Sequence, residues 1–115
     1  SGRGPTAACI CKPDLVAPGC SVVSCAGRAD KYTIKSGTSM STPIVSGATA
    51  LLLERYPDMT NKDVKLKLRE SCRDIGLPRN QQGWGLLDVE KLVSSRNYNK
   101  LEYIEIPYKG CYVKN

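Results

Sequence analysis

The residues best suited to chemistry in this 115-residue chain sit together at Gly37-Thr38-Ser39-Met40-Ser41-Thr42-Pro43. Small residues flank Ser39, and an apolar run that reads as a helix follows at once. A hydroxyl there stands at a loop tip, where the unpaired N–H groups and positive dipole end of the helix stabilise an oxyanion forming beside it. That is a setting for a nucleophile. The plainer reading, which residue types alone favour, is that Ser39, Ser41 and Thr42 are hydroxyls that cap a helix.

The chain has no histidine, which removes the usual general base and the commonest metal ligand. Lys35 precedes Ser39 closely enough to invite a serine–lysine pair, but only a desolvated, neutral lysine acts as a base. Lys35 falls in a polar stretch and is expected to be a solvated surface group. There are 6 cysteines, among them Cys9, Cys11, Cys20 and Cys25. Their density is below the roughly 8–10% of a disulfide scaffold, and a C-x-C opening is a poor bite for tetrahedral zinc. The expectation is buried, reduced thiols, with no metal and no cofactor.

The elements that must position these groups are short. Leu15-Val16-Ala17, between prolines, suits a buried strand entering a turn at Pro18-Gly19. Ser21 to Ala26 reads as a second β stretch ended by Gly27, and Tyr32 with Ile34 as a brief strand. From Ser41-Thr42-Pro43 a helix is expected to run until Pro57 forbids it. Only Ser46 and Thr49 interrupt its apolar surface between 44 and 53, so protein should surround it on all sides. A second helix should start at Thr60, with Asp63 completing a capping box and Val64, Leu68 and Cys72 facing inward. Residues 77–83 read as a loop, Gly83-Trp84-Gly85 as a tight turn, and 86–93 as a short helix or turn with Leu87 and Leu92 inside. Alternation through Leu101, Tyr103 and Glu105 favours an appended strand in 94–115.

Charge does little to name a partner. Lys and Arg number 17 against 11 Asp and Glu, but the densest basic stretch, Lys62 to Arg73, is interleaved with Asp63 and Glu70. A solvated helix face explains it, and no nucleic-acid partner is expected. No apolar run reaches the roughly 18 residues of a membrane span, and the N-terminal residues lack a signal-peptide core.

The motif and its order along the chain closely resemble the subtilisin-like serine proteases, the subtilases. Beyond Gly37 to Pro43, Lys12-Pro13-Asp14-Leu15-Val16-Ala17-Pro18-Gly19 is similar to the strand and turn before that family's active-site serine. Ser46 to Leu53 resembles its buried central helix, Tyr56-Pro57 through Thr60 its next helix start, and Gly83 to Asp88 its glycine-rich closing segment. The resemblance implies an α/β fold, here a partial three-layer subtilisin-like arrangement of parallel sheet and buried central helix. It implies residues 1–93 as the C-terminal part of a catalytic domain, with 94–115 an extension of unknown role. It implies peptide-bond hydrolysis through an acyl-enzyme on Ser39, whose backbone N–H joins the oxyanion hole. Thr38 would add a second donor, and Ser36 and Gly37 would line the leaving-group side of the substrate cleft. Secretion follows from the resemblance alone.

The family orders its triad Asp, His, Ser. No histidine precedes Ser39, Asp14 and Asp30 have none to orient, and no asparagine precedes Asn61 to supply an oxyanion amide. The expectation is a piece that is inactive alone, with a protein or peptide substrate and the missing N-terminal part of the domain as partners, and self-associating in isolation. The competing reading is a non-catalytic structural or regulatory piece that binds the rest of the protease or another chain.

Overall fold

β-branched and aromatic residues dominate the two short runs that bracket Gly27, and these runs pair. The computed structural model describes residues 2–28 and 31–94; it shows an antiparallel hairpin of β1 (Val22–Cys25) and β2 (Tyr32–Lys35). Val22 stands opposite Lys35, Val23 opposite Ile34 and Cys25 opposite Tyr32. Partners across a ladder point to the same face, so Val23, Ile34 and Tyr32 share the face turned to solvent, 62%, 66% and 75% exposed.

Helix α1 (Thr38–Arg55) follows, then α2 (Asn61–Ser71), the single turn α3 (Arg79–Gln82) and α4 (Val89–Ser94). α1 begins three residues earlier than its proline suggests. Gly37 supplies the N-cap with φ 145°, a backbone that side chains resist, and Met40 N–H closes the first turn onto the Gly37 carbonyl at 3.0 Å. Pro43 therefore lies inside the helix, with no N–H to give the Ser39 carbonyl. α2 starts as its sequence dictates: Thr60 Oγ1 accepts from Asp63 N–H at 3.3 Å, and Asp63 Oδ2 accepts from Thr60 N–H at 2.9 Å. The expected loop at 77–83 contains α3, whose Gln82 is buried and staples the neighbouring turn. Its Nε2 donates to Asp74 Oδ1 at 2.8 Å and to the Leu77 carbonyl, while Oε1 accepts from Ile75 N–H at 3.0 Å.

The core is small and lies where α1, α2 and α4 meet. Ala48, Leu52, Met59, Leu68, Leu87 and Leu92 form it, with Leu52 and Leu92 wholly excluded from solvent. Each fully buried leucine contributes about 1.5–3 kcal/mol by apolar burial. α1 is not surrounded as its composition predicts. Only Ala48 and Leu52 are buried, while Leu51 and Leu53 remain 48% and 36% exposed. The described elements are too few to cover a helix that is apolar nearly all round.

The segment 14–17 is half-buried rather than a buried strand, and it forms one parallel bridge, Val16 to Leu86. Val16 N–H donates to Gly85 O and its carbonyl accepts from Leu87 N–H, both at 2.9 Å, while Trp84 N–H donates to Asp14 O at 2.8 Å. Among the described residues this bridge is what represents the expected parallel sheet; the one two-stranded sheet is antiparallel. The cations of Lys65 and Arg69 stand 6.0 and 5.8 Å from the Trp84 ring centre and hold the closing segment against α2. The predicted strand within 94–115 lies outside the described residues.

Candidate active site

The serine turn is fastened to the turn at 17–21 from three directions. Gly37 N–H donates to Gly19 O at 2.7 Å, and Ser21 N–H donates to Ser36 Oγ at 2.7 Å. Ser41 Oγ reaches the carbonyls of Ala17 and Pro18 at 3.1 and 3.0 Å. This packing is close enough that a Cβ on Gly19 would collide with Ser41 Oγ and the Gly37 carbonyl. One further hydroxyl is used locally: Thr42 Oγ1 donates to Thr38 O at 3.1 Å. Of the hydroxyls read as capping groups, Ser41 and Thr42 are thus spent on backbone carbonyls.

Ser39 differs from them. It is exposed in the first turn of α1, and its side chain engages no group among the described residues. The first-turn N–H groups of a helix lack intrahelical acceptors, and no carboxylate stands in the first turn of α1 to neutralise its positive end. In this turn the Met40 N–H is already spent on the Gly37 carbonyl.

Two clefts flank this turn. One, of about 630 Å³, runs between the hairpin and α1 and is lined by Ser39, Met40, Ile44, Val22, Thr33 and Lys35. The other, of about 500 Å³, lies on the opposite side of the helix start and is lined by Thr38, Ser41, Thr42, Val16 and Trp84. Ser39 and Thr38, adjacent in sequence, thus open into different clefts. Ser36 and Gly37 are exposed at the rim of the turn. Lys35 is exposed, as its polar surroundings predict, yet shares the Ser39 cleft. Its place there was not legible without the hairpin register that sets it opposite Val22. Asp14 is engaged by Lys12, whose Nζ lies 2.7 Å from Asp14 Oδ2.

The cysteines depart from expectation. Cys9, Cys20 and Cys25 are exposed, and Cys11 and Cys72 are half-buried. Cys25 lies on a two-stranded hairpin that leaves it exposed, and Cys9 and Cys20 lie in turns. Burial pushes the Cys72 thiol up, and nearby Lys91 offsets this in part. No group of three or more Cys, Asp or Glu among the described residues gathers as metal ligands. No described helix is long and apolar enough to cross a membrane.

A profile of the peptidase S8 subtilase family matches residues 1–85. The chain is 38% identical over 82 residues to a halolysin-like extracellular serine protease, Nep, of Natrialba magadii, covering 71% of this chain and 15% of that protein. It is 39% identical over 82 residues to halolysin of Haloferax mediterranei, covering 71% of this chain and 16% of that protein. Among solved structures, the CspB protease of Clostridium perfringens superposes with a TM-score of 0.65 at 32% identity, over 72% of this chain and 19% of that one. The chain thus spans less than a fifth of the length of each.

Proposed function

The chain belongs to the subtilase family, a family of serine proteases, and from that premise we propose that it carries the nucleophile of a serine endopeptidase, Ser39. Ser39 Oγ attacks the carbonyl carbon of a peptide bond, and its proton passes to a histidine that lies outside this sequence. The amine departs with a proton, and water then hydrolyses the acyl-enzyme. The Ser39 N–H binds the oxyanion, Ser36 and Gly37 form the substrate wall on the leaving-group side, and Thr38 contributes from the far side of the turn. Residues 1–93 act as the C-terminal part of the catalytic domain, and 94–115 extend it. The substrate is a protein or peptide, and the extracellular description of the Natrialba relative supports secretion.

The observation that carries this reading is the contrast within one turn: Ser41 and Thr42 are committed to carbonyls, whereas Ser39 stands exposed and unengaged at a helix N-terminus beside a cleft. Base catalysis supplies about 10²–10⁴-fold and the triad works as a unit, so the chain alone should turn over no peptide. Supplied with the upstream part of a subtilase domain that bears Asp and His, it should be labelled by an organophosphonate at Ser39, and Ser39→Ala should abolish labelling. Absence of Ser39 labelling in that assembly would favour the non-catalytic reading. Turnover by the chain alone that vanishes in Ser39→Ala would revive Lys35 as the base.

A further inference from the structure

We infer that Lys35 makes the Ser39 cleft selective for peptides with an acidic side chain beside the scissile bond, an inference that rests on the endopeptidase reading of Ser39. Lys35 closes β2 and lines the same 630 Å³ cleft as Ser39. Its ladder partner Val22 also lines that cleft, and ladder partners share a face, so the hairpin turns both toward the serine. Of the described residues lining the cleft, Lys35 alone is charged; Val22, Met40, Pro43 and Ile44 make the wall apolar. Lys35 has no carboxylate partner among the described residues.

A single ammonium beside an apolar wall sets the sign of the cleft. The positive end of α1 adds to it, and no acid in the first turn opposes it. A peptide carboxylate laid along the cleft gains an ion pair partly shielded from water, whereas a lysine or arginine at the same place is repelled. The overall charge of +6 attracts any acidic peptide, so a test must separate the cleft from the surface as a whole.

Fluorescence anisotropy with the full chain at low salt makes that separation, using two labelled peptides that differ only by Glu or Lys at one position. The Glu peptide should bind about three- to fivefold more tightly, as expected for one partly exposed ion pair. Lys35→Gln should abolish the difference and Lys35→Glu should reverse it. Lys91→Glu, an equal change of net charge on the exposed surface of α4, should leave it intact. Equal binding of the two peptides, no binding of either, or an equal response to Lys91→Glu would overturn the inference. Phosphonate labelling of Ser39 in the assembled domain is read separately. Labelling retained without any Glu preference sinks the role of Lys35 alone, whereas loss of labelling in the unmodified chain sinks the endopeptidase reading.

Discussion

The Ser41 hydroxyl fills the space that a side chain on Gly19 would need. Ser41 Oγ bridges the carbonyls of Ala17 and Pro18, and any side chain on Gly19 would begin where that oxygen stands. The position of Ser39 on its cleft therefore depends on a residue with no side chain, in a turn distant in sequence.

Gly19→Ala should break this fastening. Either Ser41 Oγ or the Gly37 carbonyl must shift, at a cost of about 1–3 kcal/mol typical of overpacking. Amide exchange at Gly37, whose N–H donates to Gly19 O, should accelerate markedly while the amides of α2 keep their protection. Unchanged protection at Gly37 would show that the turn absorbs a methyl group.

The capping box of α2 should behave as a local unit. Thr60→Ala removes the oxygen that receives Asp63 N–H and should cost about 1 kcal/mol, within the 0.5–2 kcal/mol range for such caps. Thr60→Ser should restore most of it. Urea unfolding followed by helical circular dichroism compares the three proteins.

Acid should loosen the turn at 74–82 before it unfolds the helices. Asp74 accepts from Gln82 Nε2 and from Gly76 N–H, and these bonds hold its carboxyl below the usual range. A carboxylate lowered on folding lends stability above its unfolded pKa, and that stability is lost as pH falls through the lower folded value. Trp84 fluorescence between pH 5 and 2 should report the change, and Asp74→Asn should remove it. A transition identical in Asp74→Asn would assign it to another carboxylate.

Thiol reactivity should follow exposure. Cys9, Cys20 and Cys25 should alkylate first, and Cys72 last, with its rate rising at a higher pH because burial disfavours its thiolate. Peptide mass spectrometry after timed alkylation gives the order. Cys72 reacting as fast as Cys25 would contradict the packing at the end of α2.

The uncovered side of α1 should make the isolated chain associate. Leu51 and Leu53 are exposed on α1, and the hairpin separately leaves the paired Val23 and Ile34 bare. Light scattering after size exclusion should find species larger than a monomer, reduced in the double variant Leu51→Lys/Leu53→Lys. A monodisperse monomer that unfolds cooperatively would overturn this.

Local rules made much of this legible. The Thr60–Asp63 box needs only neighbours in sequence, and the two short β stretches were readable from residue type, whereas their pairing into a hairpin was not. Leu87 and Leu92 were readable as inward because both are large and apolar. What failed depended on distant partners. The single turn of α3 has no period to read, and its stability comes from Gln82 reaching Asp74 and Leu77. The start of α1 was placed by Pro43, whereas the Gly37–Gly19 bond begins the helix earlier. The exposure of the cysteines and of α1 reflects how few elements pack over them, which residue types do not reveal. At the serine motif, sequence identified the segment; which hydroxyls are spent and which cleft Ser39 and Lys35 share required the fold.

The bridge between Val16 and Leu86 also orders events in time. It joins segments far apart in sequence, so its closure removes more chain entropy than any contact within α1 or α2 and should follow them in folding. The 17–21 turn that fastens Gly37 and Ser41 is carried by that late-joining segment. In a refolding experiment with pulsed exchange, the α2 amides should become protected first and Gly37 afterwards, so that the serine turn matures after the helix that follows it in sequence.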